Sequence, residues 1–309
     1  AAFFLHSVVP LLLIFLGALG LAADRDSGRL RLSLVQGLGG RAVVMGHFLA
    51  LWMLGLGFLM AIVLTSWGIS AASDLAPHTD WGRMLAFVGV HSVFLAVISA
   101  GVAVASVWTR SGRSALLVLL ALWVAGTAVL PRVTSSAATA LHPLPSRDAF
   151  QAGIKAAREA GPDGHNPKDA FVEQRRREVL DEYGVETVKE LPINFDGIAM
   201  QLDEEFANRI WDEHHGKLER RMARQSQFGS WGSLVNPFQS ADRLSMAVAG
   251  TDLLHDLAFL HQAESYRRML VGALNHEHAY GGSKTGDRAF KATPAFYASL
   301  DSFEYTAPK

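Results

Sequence analysis

From residue 1 to residue 131 the apolar positions run in four nearly unbroken stretches, about 1–23, 42–70, 84–108 and 114–131. Crossing a bilayer as a helix takes roughly 20 mostly apolar residues. Leu, Val and Ala dominate each stretch, and none contains Asp, Glu, Lys or Arg. Buried helices of a soluble core rarely stay uncharged over four consecutive segments, so the pattern predicts four transmembrane helices. After residue 131 the pattern changes. Apolar residues now recur at helical spacing among polar ones, which predicts a polar, mostly helical domain over 132–309. Ser146 caps a helix running to about Ala160, and Gly161, Pro162 and Gly164 then break the chain. Pro167 opens a second helix, ended by Gly184 after Tyr183. Pro192 to Gly197 reads as a loop. A long helix follows over about 200–227, with Leu202, Phe206, Ile210, Leu218 and Met222 as its apolar stripe. Asn236-Pro237 reads as a turn, Thr251 caps a further helix to about His276, and the chain is loop-like from Gly281. The expected architecture is all-α: a polytopic membrane bundle followed by a helical domain.

Charge follows the same division. Residues 1–131 hold four acids, Asp24, Asp26, Asp74 and Asp80, whereas the other 25 of the 29 lie beyond. The net charge of −1 shows no basic stripe of the kind nucleic acid requires, so none is expected as a partner. The chain has no cysteine, which excludes disulfides, thiolate nucleophiles and Cys-ligated zinc. Lys and Arg in short loops set orientation. The 24–41 loop carries Arg25, Arg29, Arg31 and Arg41, and the 109–113 loop carries Arg110 and Arg113. The opposite side has only Arg83 and Arg132 near the spans. The 24–41 and 109–113 loops are therefore expected in the cytoplasm and residues 132–309 outside. Trp81 and Trp108 stand at span ends, as interfacial anchors do.

The segment joining the first two spans is the most informative. It reads Asp24-Arg25-Asp26-Ser27-Gly28-Arg29-Leu30-Arg31, then Gln36-Gly37-Leu38-Gly39-Gly40-Arg41. The pattern predicts an acid–base cluster, a Gly turn and a short amphipathic helix, with Leu30, Leu32, Leu34 and Val35 toward lipid or the bundle. An ordinary positive-inside loop would account for the arginines but not for the order. The stretch resembles the cytoplasmic signature of ABC-2 type transporter permeases, in which an acid-Arg-acid-x-Gly-Thr-Leu-Arg run precedes a short helix and an Arg turn into the next span. Asp24, Arg25, Asp26, Gly28, Leu30, Arg31 and Arg41 match; Arg29 replaces the usual Thr, and Asp the commoner Glu. A second resemblance lies downstream. Gly250-Thr251-Asp252, His255 and His261-Gln262-Ala263-Glu264-Ser265-Tyr266-Arg267-Arg268 look like a subgroup with a large extracytoplasmic domain before the last span. Such permeases have six spans, so a first and a last span are expected to flank this sequence.

The resemblance implies a membrane subunit of an ATP-driven transporter, an exporter in the commoner case, in the bacterial cytoplasmic membrane. It implies docking of 24–41 on a separate ABC ATPase subunit, which would carry the ATP and Mg, with no cofactor in this chain. It also implies pairing with a second copy or a sister permease, and an outer domain that could receive a partner protein. The competing reading is a non-transporting sensor or assembly factor of the same topology. No catalytic pattern is visible: Gly281-Gly282-Ser283-Lys284-Thr285 lacks the GxxxxGK[ST] spacing of a phosphate loop. His214, His215, His276 and His278 lack HExxH spacing, and solvated helix faces are the simpler reading than a metal site. Ionisable groups inside spans are functional candidates by default, which singles out His91 and, near the start of the second span, His47. Interhelical hydrogen bonding is their simpler role.

Overall fold

The computed structural model describes residues 3–72, 80–161, 168–287 and 289–308. All regular elements among them are helices. Asp74, Pro162, Gly164 and Pro167, which the sequence reading used, lie outside the described residues. The chain divides into two compact units, one of residues 1–141 with 225–253, the other of residues 142–224 with 254–309. The sequence pattern divides the chain near 131 alone. The segment 225–253, polar enough to be grouped with the later domain, packs with the spans.

The first unit contains four helices long and apolar enough to cross a membrane: α1 (Phe4–Asp26), α3 (Gly40–Ala72), α4 (Trp81–Trp108) and α5 (Gly112–Leu141). Between α1 and α3 lies the short α2 (Arg29–Val35). Alpha-helices suit lipid because every main-chain group is paired within the segment. Close packing in the bundle depends on small residues. At Gly17 of α1 a side chain would collide with Val102 of α4 and lie 2.8 Å from Leu51 of α3. The core around it includes Leu13, Leu51, Leu59, Leu95 and Val102. Ser106 Oγ, inside the bundle, donates to the Val102 carbonyl one turn back at 2.7 Å.

Two of the spans contain π-helical turns, at Phe4–Val8 in α1 and Ala125–Val129 in α5. Each is followed two residues later by a proline, Pro10 or Pro131. Proline has no N–H and its ring crowds the carbonyl four residues back. A wider turn just before it relieves that crowding without ending the helix. Hence α5 runs ten residues beyond Pro131, where the sequence pattern ends the fourth span.

The first unit is completed by α9 (Pro237–Ala249), which the sequence reading took only as the residues after a turn. Asn236 caps it, accepting from the Phe238 N–H at 3.2 Å. Gly250, at φ 70°, ends it.

In the second unit α6 (Arg147–Ala160) starts at Ser146 as expected, the Ser146 hydroxyl accepting from Ala149 N–H at 3.1 Å. Next come α7 (Lys168–Tyr183), α8 (Phe195–Ser233), α10 (Leu253–Tyr280) and the short α11 (Pro294–Ser299). Residues 225–233 of α8 belong to the first unit. The long helix starts five residues before the expected position. Gly197 does not break it; a Cβ there would sit 2.8 Å from the Ala279 Cα, so this glycine admits the main chain of α10. A satellite core of Val179, Leu191, Ile193 and Phe195 closes the α7–α8 connection.

Candidate functional site

The 24–41 segment forms an elbow built from its own charges. Arg25, in the last turn of α1, donates to the carbonyls of Ser106 at 2.8 Å, Thr109 at 2.9 Å and Arg110 at 3.2 Å. Those carbonyls lie at the C-terminal end of α4, where the helix dipole and unpaired oxygens favour a cation. Asp24 pairs with Arg29 at 3.1 Å, across the Ser27-Gly28 turn. Gly28 has φ 75°, a left-handed conformation that ordinary side chains rarely adopt. The chain therefore reverses at Gly28 into α2.

The short helix presents its surface openly. Leu30 is half-buried, whereas Leu32, Leu34 and Val35 are exposed, Val35 by 79 %. Asp26, Arg31 and Arg41 make no side-chain bond or ion pair with described residues. Thus Asp24, Arg25 and Arg29 shape the elbow, and Asp26, Arg31 and Arg41 project from it. The resemblance implied docking for the whole of 24–41, Arg25 included; the structure engages Arg25 with the end of α4, a contact that depends on helix packing and leaves no local signature.

The two histidines singled out by sequence are not brought together. His47 Nε2 donates to the Gly17 carbonyl at 3.1 Å, tying α3 to α1. His91 is fully buried in α4, with Nδ1 at 2.8 Å from the Phe87 carbonyl and Nε2 at 3.0 Å from His6 Nε2. The His6 and His91 rings stack with centroids 5.0 Å apart. On its other side His6 Nδ1 lies 3.5 Å from Asp242 Oδ1 of α9. A chain thus runs from Phe87 through the buried His91 and His6 to the exposed Asp242. His6 lies in an apolar run and Asp242 in a polar stretch 236 residues later, so only the fold joins them.

The α9 helix is held against both π turns. Asn236 Nδ2 donates to the Gly126 carbonyl at 2.8 Å, in the π turn of α5. A side chain at Gly126 would press on the Phe238 ring, 2.6 Å from its Cδ2. Phe238 in turn packs edge-on against Phe94, centroids 5.5 Å apart. A cavity of about 450 Å³ opens between these elements. His6, Ser7, Thr127, Gln239, Asp242 and Arg243 are its polar lining.

In the second unit, the run from His261 to Arg268 does structural work. Arg267 on α10 pairs with Glu204 at 2.6 Å and Glu264 at 2.8 Å, and donates to Asn208 Oδ1 at 2.7 Å. Arg268 grips Asp212 with two bonds, 2.7 and 3.0 Å, and also Glu264 at 2.8 Å. Glu204, Asn208 and Asp212 recur every four residues on one face of α8. Hydrogen bonds from Arg267 and Arg268 outweigh burial and hold the Glu264 carboxyl down at about 2. The Arg268 bond likewise lowers Asp212. Gln262 clamps both main-chain groups of Thr306, at 2.8 and 2.9 Å, and Tyr266 donates to the Asp301 carbonyl at 2.8 Å.

The remaining candidates also find packing roles. His215 stacks on Trp211 with centroids 4.3 Å apart, and Arg268 lies 5.5 Å over the same Trp211 ring. Among the described residues no group of three or more His, Asp or Glu side chains converges as a metal site would. Ser283 and Thr285 of the Gly281–Thr285 loop bond the start of α8: Ser283 to Asn194 at 2.8 Å and Thr285 to Phe195 N–H at 2.9 Å.

Comparison with known proteins gives two family matches. Residues 3–179 match the family described as ABC-2 family transporter protein. Residues 149–306 match a domain of unknown function, DUF3526. No curated protein and no solved structure gives a match. Four apolar helices, the α1–α2–α3 elbow and a family match over more than half its length together show that this multi-pass membrane chain belongs to the ABC-2 transporter family, as a permease with an added DUF3526 domain.

Proposed function

We propose that this permease is the membrane subunit of an ATP-driven exporter in a bacterial cytoplasmic membrane, docked through 24–41 on a separate ABC ATPase. The observation that carries the reading is the elbow. Arg25 ties α1 to the end of α4, while the exposed α2 and Asp26, Arg31 and Arg41, unpaired among the described residues, project from it. A push on α2 is thereby delivered to two spans at once. ATP and Mg belong to the ATPase; closure of an ATPase pair would tilt α2, and the Arg25 contact would carry that motion into α4. Two bundles, from a second copy or a sister permease, would enclose the substrate path between them. Their exposed apolar faces meet lipid elsewhere. The base asymmetry of the loops supports a cytoplasmic elbow and a periplasmic DUF3526 domain, open to a partner protein.

Charges across an interface fix register, and truncating a buried member costs about 2–5 kcal/mol. Asp26→Lys should therefore reduce co-purification of the ATPase, or uncouple substrate-stimulated ATP hydrolysis in nanodiscs. Gly28→Pro should do so as well, because proline cannot take a positive φ. Normal association and coupling in both variants would remove the docking role and favour a sensor or assembly factor.

A further inference from the structure

The chain from Phe87 to Asp242 has a proton count that its ring nitrogens dictate. Two gaps are hydrogen bonds, His91 Nδ1 to the Phe87 carbonyl at 2.8 Å and His6 Nε2 to His91 Nε2 at 3.0 Å, and the third, His6 Nδ1 to Asp242 Oδ1 at 3.5 Å, is an ion-pair distance once His6 Nδ1 carries hydrogen. A carbonyl only accepts, so His91 Nδ1 carries hydrogen. The Nε2–Nε2 gap needs one donor. The last gap faces a carboxylate, which also only accepts when ionised. Two neutral imidazoles bring two hydrogens in all. With two, one gap sets a bare nitrogen lone pair against an oxygen or another lone pair. A third proton closes every gap, whichever ring carries the charge, and the Asp242 carboxylate balances it.

We propose that His91, His6 and Asp242 form a proton-binding site, and that its bound proton latches α9 to α1 and α4. The site has one open end. His91 is fully enclosed, whereas the Asp242 side chain is 57 % exposed and lines the 450 Å³ cavity. The proton enters and leaves past Asp242 and does not cross the bundle. Of the groups lining that cavity among the described residues, Arg243 is the other charged one. Its guanidinium turns to Ser226, donating to the carbonyl at 2.7 Å and to the hydroxyl at 3.0 Å. The α5 π turn contributes Gly126 and Thr127, Pro131 follows it, and the His6 ring meets α4 otherwise through Phe94, so neither helix supplies a competing charge. Loss of the proton sets the His6 lone pair against Asp242 and releases that turn of α9 from α1, leaving α9 tied through Asn236, Phe238, Gln239 and Arg243.

The test uses the full-length protein in nanodiscs with ring-¹⁵N histidine, the two rings assigned with His6→Gln and His91→Gln. Histidine changes charge between about pH 5 and 8. At the acidic end the two rings should show three protonated nitrogens, falling to two at the alkaline end. In Asp242→Asn the amide supplies its own N–H, so the rings should show two throughout. Spin labels at Ser7→Cys and Met246→Cys should move apart as the third proton leaves, and should not respond to pH in the Asp242→Asn background. Two protonated nitrogens in the parent at every pH would overturn the site. A label distance unchanged while the proton leaves would overturn the latch. Neither readout involves the ATPase, so either result is independent of the docking reading.

Discussion

Arg25 donates to the main-chain carbonyl of Ser106 at 2.8 Å, joining the end of the first span to the end of the third. The contact places a cation where α4 leaves its last carbonyls unpaired. It also divides the arginines of the elbow into two that build it, Arg25 and Arg29, and two, Arg31 and Arg41, that make no bond among the described residues.

That division makes a first prediction. Hydrogen bonds to a charged group contribute about 1.5–3 kcal/mol. Arg25→Ala should lower the thermal stability of the purified permease by that order. Arg31→Ala, which removes no bond, should leave stability unchanged while weakening ATPase capture. Equal loss of stability in both would contradict the assignment.

Gly17 gives a packing prediction. A methyl group there meets Leu51 at 2.8 Å and collides with Val102. Overpacking of this kind costs about 1–3 kcal/mol. Gly17→Ala should lower the unfolding midpoint in detergent, and adding Val102→Ala should recover part of the loss. Gly101→Ala, where space is open, is the control.

The acid limit of the second unit follows from Glu264. Its carboxyl falls from an ordinary 4.5 to about 2 in the folded protein, held by Arg267 and Arg268. A lowered carboxyl stabilises the fold above its unfolded value and ceases to do so as pH falls through the folded one. The contribution, about 3 kcal/mol for a side chain only 13 % exposed, should be full above about pH 4.5 and lost toward pH 2. Hydrogen exchange along α8 and α10 should speed up over that window. In Glu264→Gln the same amides should exchange fast already at neutral pH.

Orientation can be read directly, because the chain has no cysteine of its own. An impermeant thiol reagent should label Lys189→Cys in intact cells and spare Leu38→Cys until the membrane is opened. The reverse pattern would invert the topology.

Much of the architecture follows from local pattern. Spans must be long and free of charge because lipid offers main-chain groups no partner, and that demand is written in consecutive residues. Caps such as Ser146 and turns such as Gly28 depend on neighbours one to three positions away, so they too are legible. The 24–41 elbow was visible for the same reason.

What required the folded chain was every relationship between distant segments. Gly197 resembles a helix breaker until Ala279 of α10 is seen against it. Pro131 resembles a helix end until the π turn before it is seen to absorb the missing N–H. The run from His261 to Arg268 carries charges that any solvated helix could bear; only the pairing of α10 with α8 turns them into a clamp. His6 and Asp242 have no local mark at all, since an imidazole's partner is decided by which helix packs beside it. Apolarity and local turn chemistry act between neighbours in sequence, whereas hydrogen-bond pairing and close packing act between neighbours in space.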